Sequence, residues 1–175
     1  DDCVRIVDPA MADNGKLYSI FNDEYVAAMR GLCASADILI PNITEACFMT
    51  GVEYKEKYDE EYIENLVCTL QNLGCKNIIL TGVSYCEGKT GVLVVENGTK
   101  NYYEHDLLPN SCHGTGDIYA SALVGAFVNG KSAFESAKIA ARYTVDAIKE
   151  TAKDKEHWYG ARFEPVIGNL IEYLK

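Results

Sequence analysis

The sequence predicts an α/β fold, with helices layered on a mainly parallel sheet that carries an antiparallel edge. Three observations predict it. Short β-branched or aliphatic runs alternate with segments of helical period; the early runs are cut off by proline or glycine; and two later strand-like runs are separated only by Asn97-Gly98. The 175 residues suffice for one domain, 1–175, with a sizeable core, and they contain no internal repeat, low-complexity tract or linker.

Val4-Arg5-Ile6-Val7 reads as a first strand, stopped by Asp8-Pro9. From Asp23, Tyr25, Val26, Met29, Leu32 and Cys33 follow helical spacing. Asp37 to Ile40 reads as a buried strand ended by Pro41, and a short helix follows from Thr44 to Thr50, closed by Gly51. Tyr62, Ile63, Leu66, Val67, Leu70 and Leu73 form the inner face of a clearer helix ending at Gly74, with Asp59-Glu60-Glu61 as its solvated start. Asn77 to Leu80 is a further buried strand, ending in Thr81-Gly82. Gly91–Glu96 and Lys100–Glu104 flank the Asn97-Gly98 hairpin turn. Two long helices follow, Asp117 to Val128 and Ala133 to Lys149, and a terminal one runs from Pro165 to Leu174.

Composition narrows the classes of function. The net charge of −10 argues against nucleic acid, whose phosphates select basic surfaces. It leaves nucleotides open, because backbone N–H groups, a helix N-terminus and metal ions can hold phosphate. No apolar run approaches the roughly 20 residues of a membrane span. The opening stretch lacks the pattern of a secretory signal, so Asn42-Ile43-Thr44 and Asn97-Gly98-Thr99 read as chance matches to the glycosylation pattern. Cysteines at 3, 33, 47, 68, 75, 86 and 112 are odd in number and form no Cys-x-x-Cys, which suits reduced thiols of a cytoplasmic protein. Histidines 105, 113 and 157 are too dispersed for a metal cluster.

Two glycine-containing stretches are decoys. Gly82 to Thr90 ends in Gly-Lys-Thr, but five residues separate Gly82 from Gly88 and a strand follows, so it is not a P-loop. Gly114-Thr115-Gly116 is not a dinucleotide fingerprint, because Tyr119 occupies the third glycine position. Four other features carry chemistry. Gly114-Thr115-Gly116-Asp117 opens a helix; its N–H groups suit an oxyanion, and Asp117 suits proton abstraction from a hydroxyl. The same turn also reads as a plain Asp N-cap. Asp8 and Asp13 would hold Mg²⁺ directly or through water, or belong to a solvated loop. Asn42 and Glu45 would share one rim near metal-bound water, or simply start a helix. Thr81 offers a strand-end hydroxyl, while Tyr102, Tyr103 and Tyr119 read as packing residues. Ligands of such folds bind at the C-terminal ends of the strands, where Asp8-Pro9, Pro41-Asn42 and Thr81-Gly82 all lie.

Taken in order, Asp-Pro-x-Met, Pro-Asn-x-x-Glu-Ala, a strand ending Thr-Gly, and Gly-Thr-Gly-Asp resemble the ribokinase-like superfamily. Within it, Asp8-Pro-Ala-Met-Ala-Asp-Asn-Gly-Lys-Leu-Tyr18 and His113-Gly-Thr-Gly-Asp117 look like the pyridoxal (pyridoxine, pyridoxamine) kinases. Sugar kinases of the superfamily more often carry Gly-Ala-Gly-Asp, and hydroxymethylpyrimidine kinases usually have Cys where Asp117 stands. The resemblance covers essentially the whole chain and implies a three-layer sandwich. It also implies ATP-dependent phosphorylation of the 5′-hydroxymethyl group of a B6 vitamer, with Mg²⁺ and a monovalent cation such as K⁺ as cofactors and a homodimer as the assembly.

By the same resemblance Asp117 would be the general base, and Gly114, Thr115 and Gly116 the anion hole for the γ-phosphoryl group. Asp8, Asp13 and Glu45 would organise Mg²⁺. Asn42, Thr81 and Gly82 would lie near the ATP phosphates, with Tyr18 and His113 as further nucleotide contacts. Two positions depart from the pattern: Ile40 stands where many relatives have Thr, and Ala12 where Gly is usual. Members of the family usually begin with a further segment on the order of 100 residues, which carries the opening strands, the lid and most vitamin-ring contacts. The expectation is therefore a C-terminal portion with the N-terminal part missing and little or no kinase activity of its own. A hydroxymethylpyrimidine-type kinase and a non-catalytic nucleotide-binding fragment are the alternatives.

Overall fold

A computed structural model describes residues 3–109, 112–154 and 156–175; Asp1 and Asp2, read above as part of an opening without a signal pattern, lie outside the described residues. The chain divides into two compact units, residues 1–104 and 105–175.

The first unit is built on strands β1 (Ile6–Val7), β4 (Ile38–Leu39), β5 (Asn77–Val83), β6 (Lys89–Glu96) and β7 (Thr99–Asp106), in the spatial order β1-β4-β5-β6-β7. β1, β4 and β5 are parallel neighbours, and β6 runs antiparallel to β5. This is the expected α/β sheet with its antiparallel edge. Asn97 (φ 51°) and Gly98 (φ 79°) turn the chain from β6 into β7, and both positive values suit a two-residue hairpin loop. A second sheet, β2 (Ala12–Asp13) with β3 (Lys16–Leu17), is a small antiparallel hairpin.

Three helices complete this unit: α1 (Asp23–Cys33), α2 (Ile43–Thr50) and α3 (Glu60–Asn72). Asn22 and Asp59 cap α1 and α3 by accepting the N–H groups of Tyr25 and Tyr62. Ile63, Leu66, Val67 and Leu70 of α3 share one buried cluster with Leu39, Ile78, Leu80, Leu93 and Val95 of the sheet. Burying an aliphatic side chain of this kind is worth about 1.5–3 kcal/mol, so this shared cluster is what holds the sheet to α3. Gly91 to Val95 are all buried, which explains why β6 reads as an unbroken apolar run instead of an alternating one.

The second unit is helical: α4 (Thr115–Val128), α5 (Ala133–Thr151), a 3₁₀ turn (Glu164–Val166) and α6 (Ile167–Leu174). Asn129–Ser132 turns α4 back along α5, and Ser132 caps α5 by accepting from Glu135 N. Ala122, Leu123 and Ala126 of α4 and Ala133, Ala137, Ala140 and Ala141 of α5 are buried; small side chains let the two backbones pack closely. α5 also anchors the C-terminal segment. Tyr143 Oη donates to the Phe163 carbonyl at 3.0 Å, and the Arg142 guanidinium lies 3.8 Å from the Tyr173 ring centre. Among the described residues no helix is long and apolar enough to cross a membrane.

Candidate functional site

Asp8 follows β1 directly, at the C-terminal end of a parallel strand. The stretch after it is not the plain loop expected from the sequence. Ala12–Asp13 pairs with Lys16–Leu17 through a turn at Asn14 (φ 50°) and Gly15 (φ 73°). This turn is the same Asn-Gly hairpin signal that marks residues 97 and 98, left unread because only two residues on each side are extended. The hairpin is pinned from one side by Gly15 N, which donates to Thr44 Oγ1 at 3.0 Å, and by Tyr18 N, which donates to Met11 O at 2.9 Å. Asp13 is exposed and accepts from Asn14 N and Asn14 Nδ2, both at 2.9 Å, so its carboxylate is engaged by its own turn. The Tyr18 side chain is half-exposed beside Phe21.

Asn42 and Glu45 start α2 as the helix-start reading of their motif expects. Asn42 Oδ1 accepts from Glu45 N at 2.8 Å and Glu45 Oε2 accepts from Asn42 N at 2.8 Å, a complete capping box for α2. The same two side chains reach the Asp8 segment: Met11 N donates to Glu45 Oε1 at 3.1 Å, and Asn42 Nδ2 donates to Ala12 O at 2.8 Å. Glu45 is only 3% exposed. Burial pushes its pKa up to about 7 against the pull of those backbone N–H groups, and the neighbouring Asp8 charge raises it further.

The Thr81-Gly82 motif does not end its strand. β5 continues to Val83, and the β5–β6 register shifts between Thr81 and Val83, so the motif sits on a bulge. Thr81 N donates to Pro41 O at 2.9 Å, Thr81 Oγ1 lies 3.3 Å from the same oxygen, and an isolated parallel bridge joins Asn42 to Thr81. Gly82 has φ 77°, is exposed, and a Cβ placed there would meet nothing within 4 Å. The structure thus links Asp8's segment, Asn42, Glu45 and Thr81 into one hydrogen-bonded rim of the first unit. Among the described residues no three His, Cys, Asp or Glu side chains form a group that holds a metal unaided. Asp8 and Glu45 as a repelling pair still fit Mg²⁺, which usually takes one or two carboxylates and completes its shell with water and phosphate oxygens.

In the second unit α4 begins at Thr115, two residues earlier than expected. Gly114 (φ 81°) is its N-cap and offers no side chain; Thr115, Gly116 and Asp117 are its first three residues. Asp117 is therefore not the N-cap, and its exposed carboxylate lies within the first turn, where the helix dipole favours negative charge. Ile118 N is the first to reach back, to Gly114 O at 3.1 Å, which leaves the N–H groups of residues 115–117 without helical acceptors. His113, Gly114 and Gly116 are exposed, and a Cβ on either glycine would meet nothing within 4 Å. Among the described residues no side chain caps this helix, and a helix N-terminus with a carboxylate in its first turn can receive an oxyanion and hold a proton acceptor beside it.

The sequence profile of the family described as "Phosphomethylpyrimidine kinase" matches residues 2–161. The chain belongs to this family. Among curated members and relatives, it is 27% identical over 120 residues to the hydroxymethylpyrimidine/phosphomethylpyrimidine kinase of Aquifex aeolicus, covering 67% of this chain and 45% of that protein. It is 26% identical over 133 residues to the pyridoxal kinase of Dictyostelium discoideum, covering 70% and 43% respectively. The chain thus spans about half the length of the curated relatives it matches. In three dimensions it is similar to a phosphomethylpyrimidine kinase-like protein of Bacteroides thetaiotaomicron (TM-score 0.89, 28% identity, 96% of this chain and 59% of that one). The pyridoxal kinase of Lactobacillus plantarum gives a TM-score of 0.85 at 28% identity, over 97% of this chain and 61% of that one. The ribokinase-like α/β fold expected from the motifs is the fold of these family structures. The narrower likeness to pyridoxal kinases is matched by an equal likeness to the hydroxymethylpyrimidine kinases of the same family.

Proposed function

We propose that this chain carries the nucleotide-binding and proton-abstracting part of an ATP-dependent kinase whose acceptor is a hydroxymethyl group on a nitrogen heterocycle, the 5′-hydroxymethyl of a B6 vitamer. The observation that supports it most is the bare N-terminus of α4, with Asp117 in its first turn. In this reading Asp117 takes the proton of the substrate hydroxyl as its oxygen bonds to the γ-phosphorus. The bond from that phosphorus to the bridging oxygen breaks, and its electron pair leaves with ADP. The N–H groups of residues 115–117 take the charge on the transferring oxygens, so positioning and neutralisation supply most of the rate. Asn42, Thr81 and Gly82 lie along the phosphates, and Tyr18 and His113 are the outer nucleotide contacts. Asp8 and Glu45 would hold Mg²⁺ through its water shell, with Asp13 beside them, and Mg²⁺ supplies neutralisation of the phosphate charge when bound.

A second reading has its own support. The family match and the Aquifex aeolicus relative favour a hydroxymethylpyrimidine acceptor. Asp117 weighs the other way, since hydroxymethylpyrimidine kinases resemble this chain except that Cys usually stands there. A coupled ADP-release assay on the polypeptide that contains this chain, run with pyridoxal, pyridoxine, pyridoxamine and hydroxymethylpyrimidine, separates the two by rank of kcat/KM. Asp117→Asn tests the shared chemistry. It keeps the shape of the turn and removes the base, so turnover should fall by about 10²–10⁴-fold with nucleotide affinity nearly unchanged. Near-normal turnover removes Asp117 as the base.

A further inference from the structure

Two tyrosines to which the sequence reading gave no site role converge on the β5 bulge. Tyr58, in the segment before α3, accepts from Ser84 N at 3.0 Å and lies 3.3 Å from Gly82 O as a donor. Tyr102, on β7, donates to Val83 O at 3.1 Å, with Glu104 Oε2 more distant at 3.5 Å. Three consecutive residues, 82, 83 and 84, thus have a backbone group bound by a phenol. Tyr102 can cross β6 only because Gly91, the cross-strand partner of Val83, has no side chain. A Cβ there would stand 2.1 Å from Tyr103 O and 3.0 Å from Tyr102 Oη. Each ring is held in turn: Tyr58 stacks on Tyr62 at 5.5 Å and Tyr102 tilts against Tyr85 at 4.9 Å. Burial pushes the Tyr58 and Tyr102 pKa values up, Glu104, Tyr85 and Tyr58 add to the rise at Tyr102, and Tyr54 adds to it at Tyr58, so both stay protonated.

A bulge centred on glycine has little conformational preference of its own, because Gly82 reaches positive and negative φ with similar ease. Its geometry is therefore set by its contacts: Val83 pairs with Gly91, the Ser84 hydroxyl donates to Cys86 O and Lys89 O, and the two phenols hold the backbone groups of residues 82, 83 and 84 from the other elements. We propose that Tyr58 and Tyr102 are positioning residues for the nucleotide, clamping the bulge so that the Thr81 hydroxyl and the open Gly82 backbone are presented in one geometry. This rests on the reading of Thr81 and Gly82 as phosphate neighbours.

The test is calorimetric titration of the polypeptide that contains this chain with Mg²⁺–AMP-PCP, paired with thermal melting. Tyr58→Phe and Tyr102→Phe should each weaken binding three- to tenfold, the scale of one lost hydrogen bond. Thr81→Ala should weaken it similarly, and Tyr58→Phe added to Thr81→Ala should change it less than twofold further. Tyr62→Phe is the control: it keeps the ring that stacks on Tyr58 but loses the phenol's contacts with Glu53 O and Cys47 Sγ, neither of which is on the bulge, and should lower the melting temperature while leaving affinity unchanged. Equal weakening by Tyr62→Phe would mean general loosening and overturn the proposal. Unchanged affinity in both bulge variants, with Thr81→Ala still harmful, overturns it while the phosphate-site reading stands. Wild-type polypeptide that does not bind, or binding indifferent to Thr81→Ala, removes that reading and the clamp together.

Discussion

Glu45 has a structural role that is compatible with the chemical one proposed for it. Its two oxygens each accept one backbone N–H, from Met11 and Asn42, which joins the Asp8 segment to the start of α2. From the sequence, cap and metal neighbour looked like alternatives; the spacing Asn42-x-x-Glu45 permits both, and only the fold brings Met11 within reach. The raised pKa has a consequence for stability. An acid whose pKa rises on folding from its ordinary 4.5 to about 7 binds more protons folded than unfolded between those values. Stability is therefore highest at the acid end of that window and falls as pH rises through it. In EDTA-containing buffer, the urea-unfolding free energy should drop from pH 5 to pH 8 by on the order of 1–3 kcal/mol from this group. Glu45→Gln should remove most of that slope and cost about 1–3 kcal/mol near pH 5, because its amide presents a donor to a backbone N–H. A slope that persists in the variant assigns the effect to other carboxylates.

At the scale of elements, what the sequence showed and what it hid have different physical origins. The helices of 23–33, 60–72 and 133–151 were legible because one periodic apolar face fills a core, and the buried strands at 38–39 and 77–83 because they are aliphatic and punctuated. The β2–β3 hairpin was hidden by its length, and the bulge at Thr81–Val83 because Thr-Gly after an aliphatic run reads equally as the end of a strand. Asp117 was misplaced by three positions relative to the cap because Gly114, a residue without a capping side chain, takes that role. Gly91 is the sharpest case. Its φ is unexceptional, so sequence logic allows alanine, yet the Cβ would meet the Tyr103 carbonyl. Gly91→Ala should therefore destabilise the chain by about 1–3 kcal/mol or more, measured as a shift in urea midpoint at unchanged m. A stability near wild type would mean that β7 can slide away from β6 at little cost.

At the scale of the whole molecule, the charge of −10 raised a question that the folded site sharpens. Asp8, Asp13, Glu45 and Asp117 are the acidic groups assigned to the reaction, and the stretches around them, 8–18, 41–46, 81–84 and 113–117, contain one lysine and no arginine. Backbone N–H groups and a helix dipole offset only part of that charge, since the dipole amounts to roughly half an elementary charge at the helix end. Screening does not remove the rest at Asp8 and Glu45, because Glu45 is buried and feels the Asp8 charge directly, and buried groups are screened much less than exposed ones. Free ATP carries about four negative charges and its magnesium complex about two, so the cation decides whether the nucleotide meets attraction or repulsion. Titration with ATP in EDTA should accordingly show affinity at least roughly tenfold weaker than with Mg²⁺, a difference of about 1.4 kcal/mol. Raising salt should narrow the gap by screening the repulsion felt by free ATP. Equal affinity with and without Mg²⁺ would mean that the phosphates lie away from Asp8 and Glu45, and would move the nucleotide off the rim that joins them to Asn42 and Thr81.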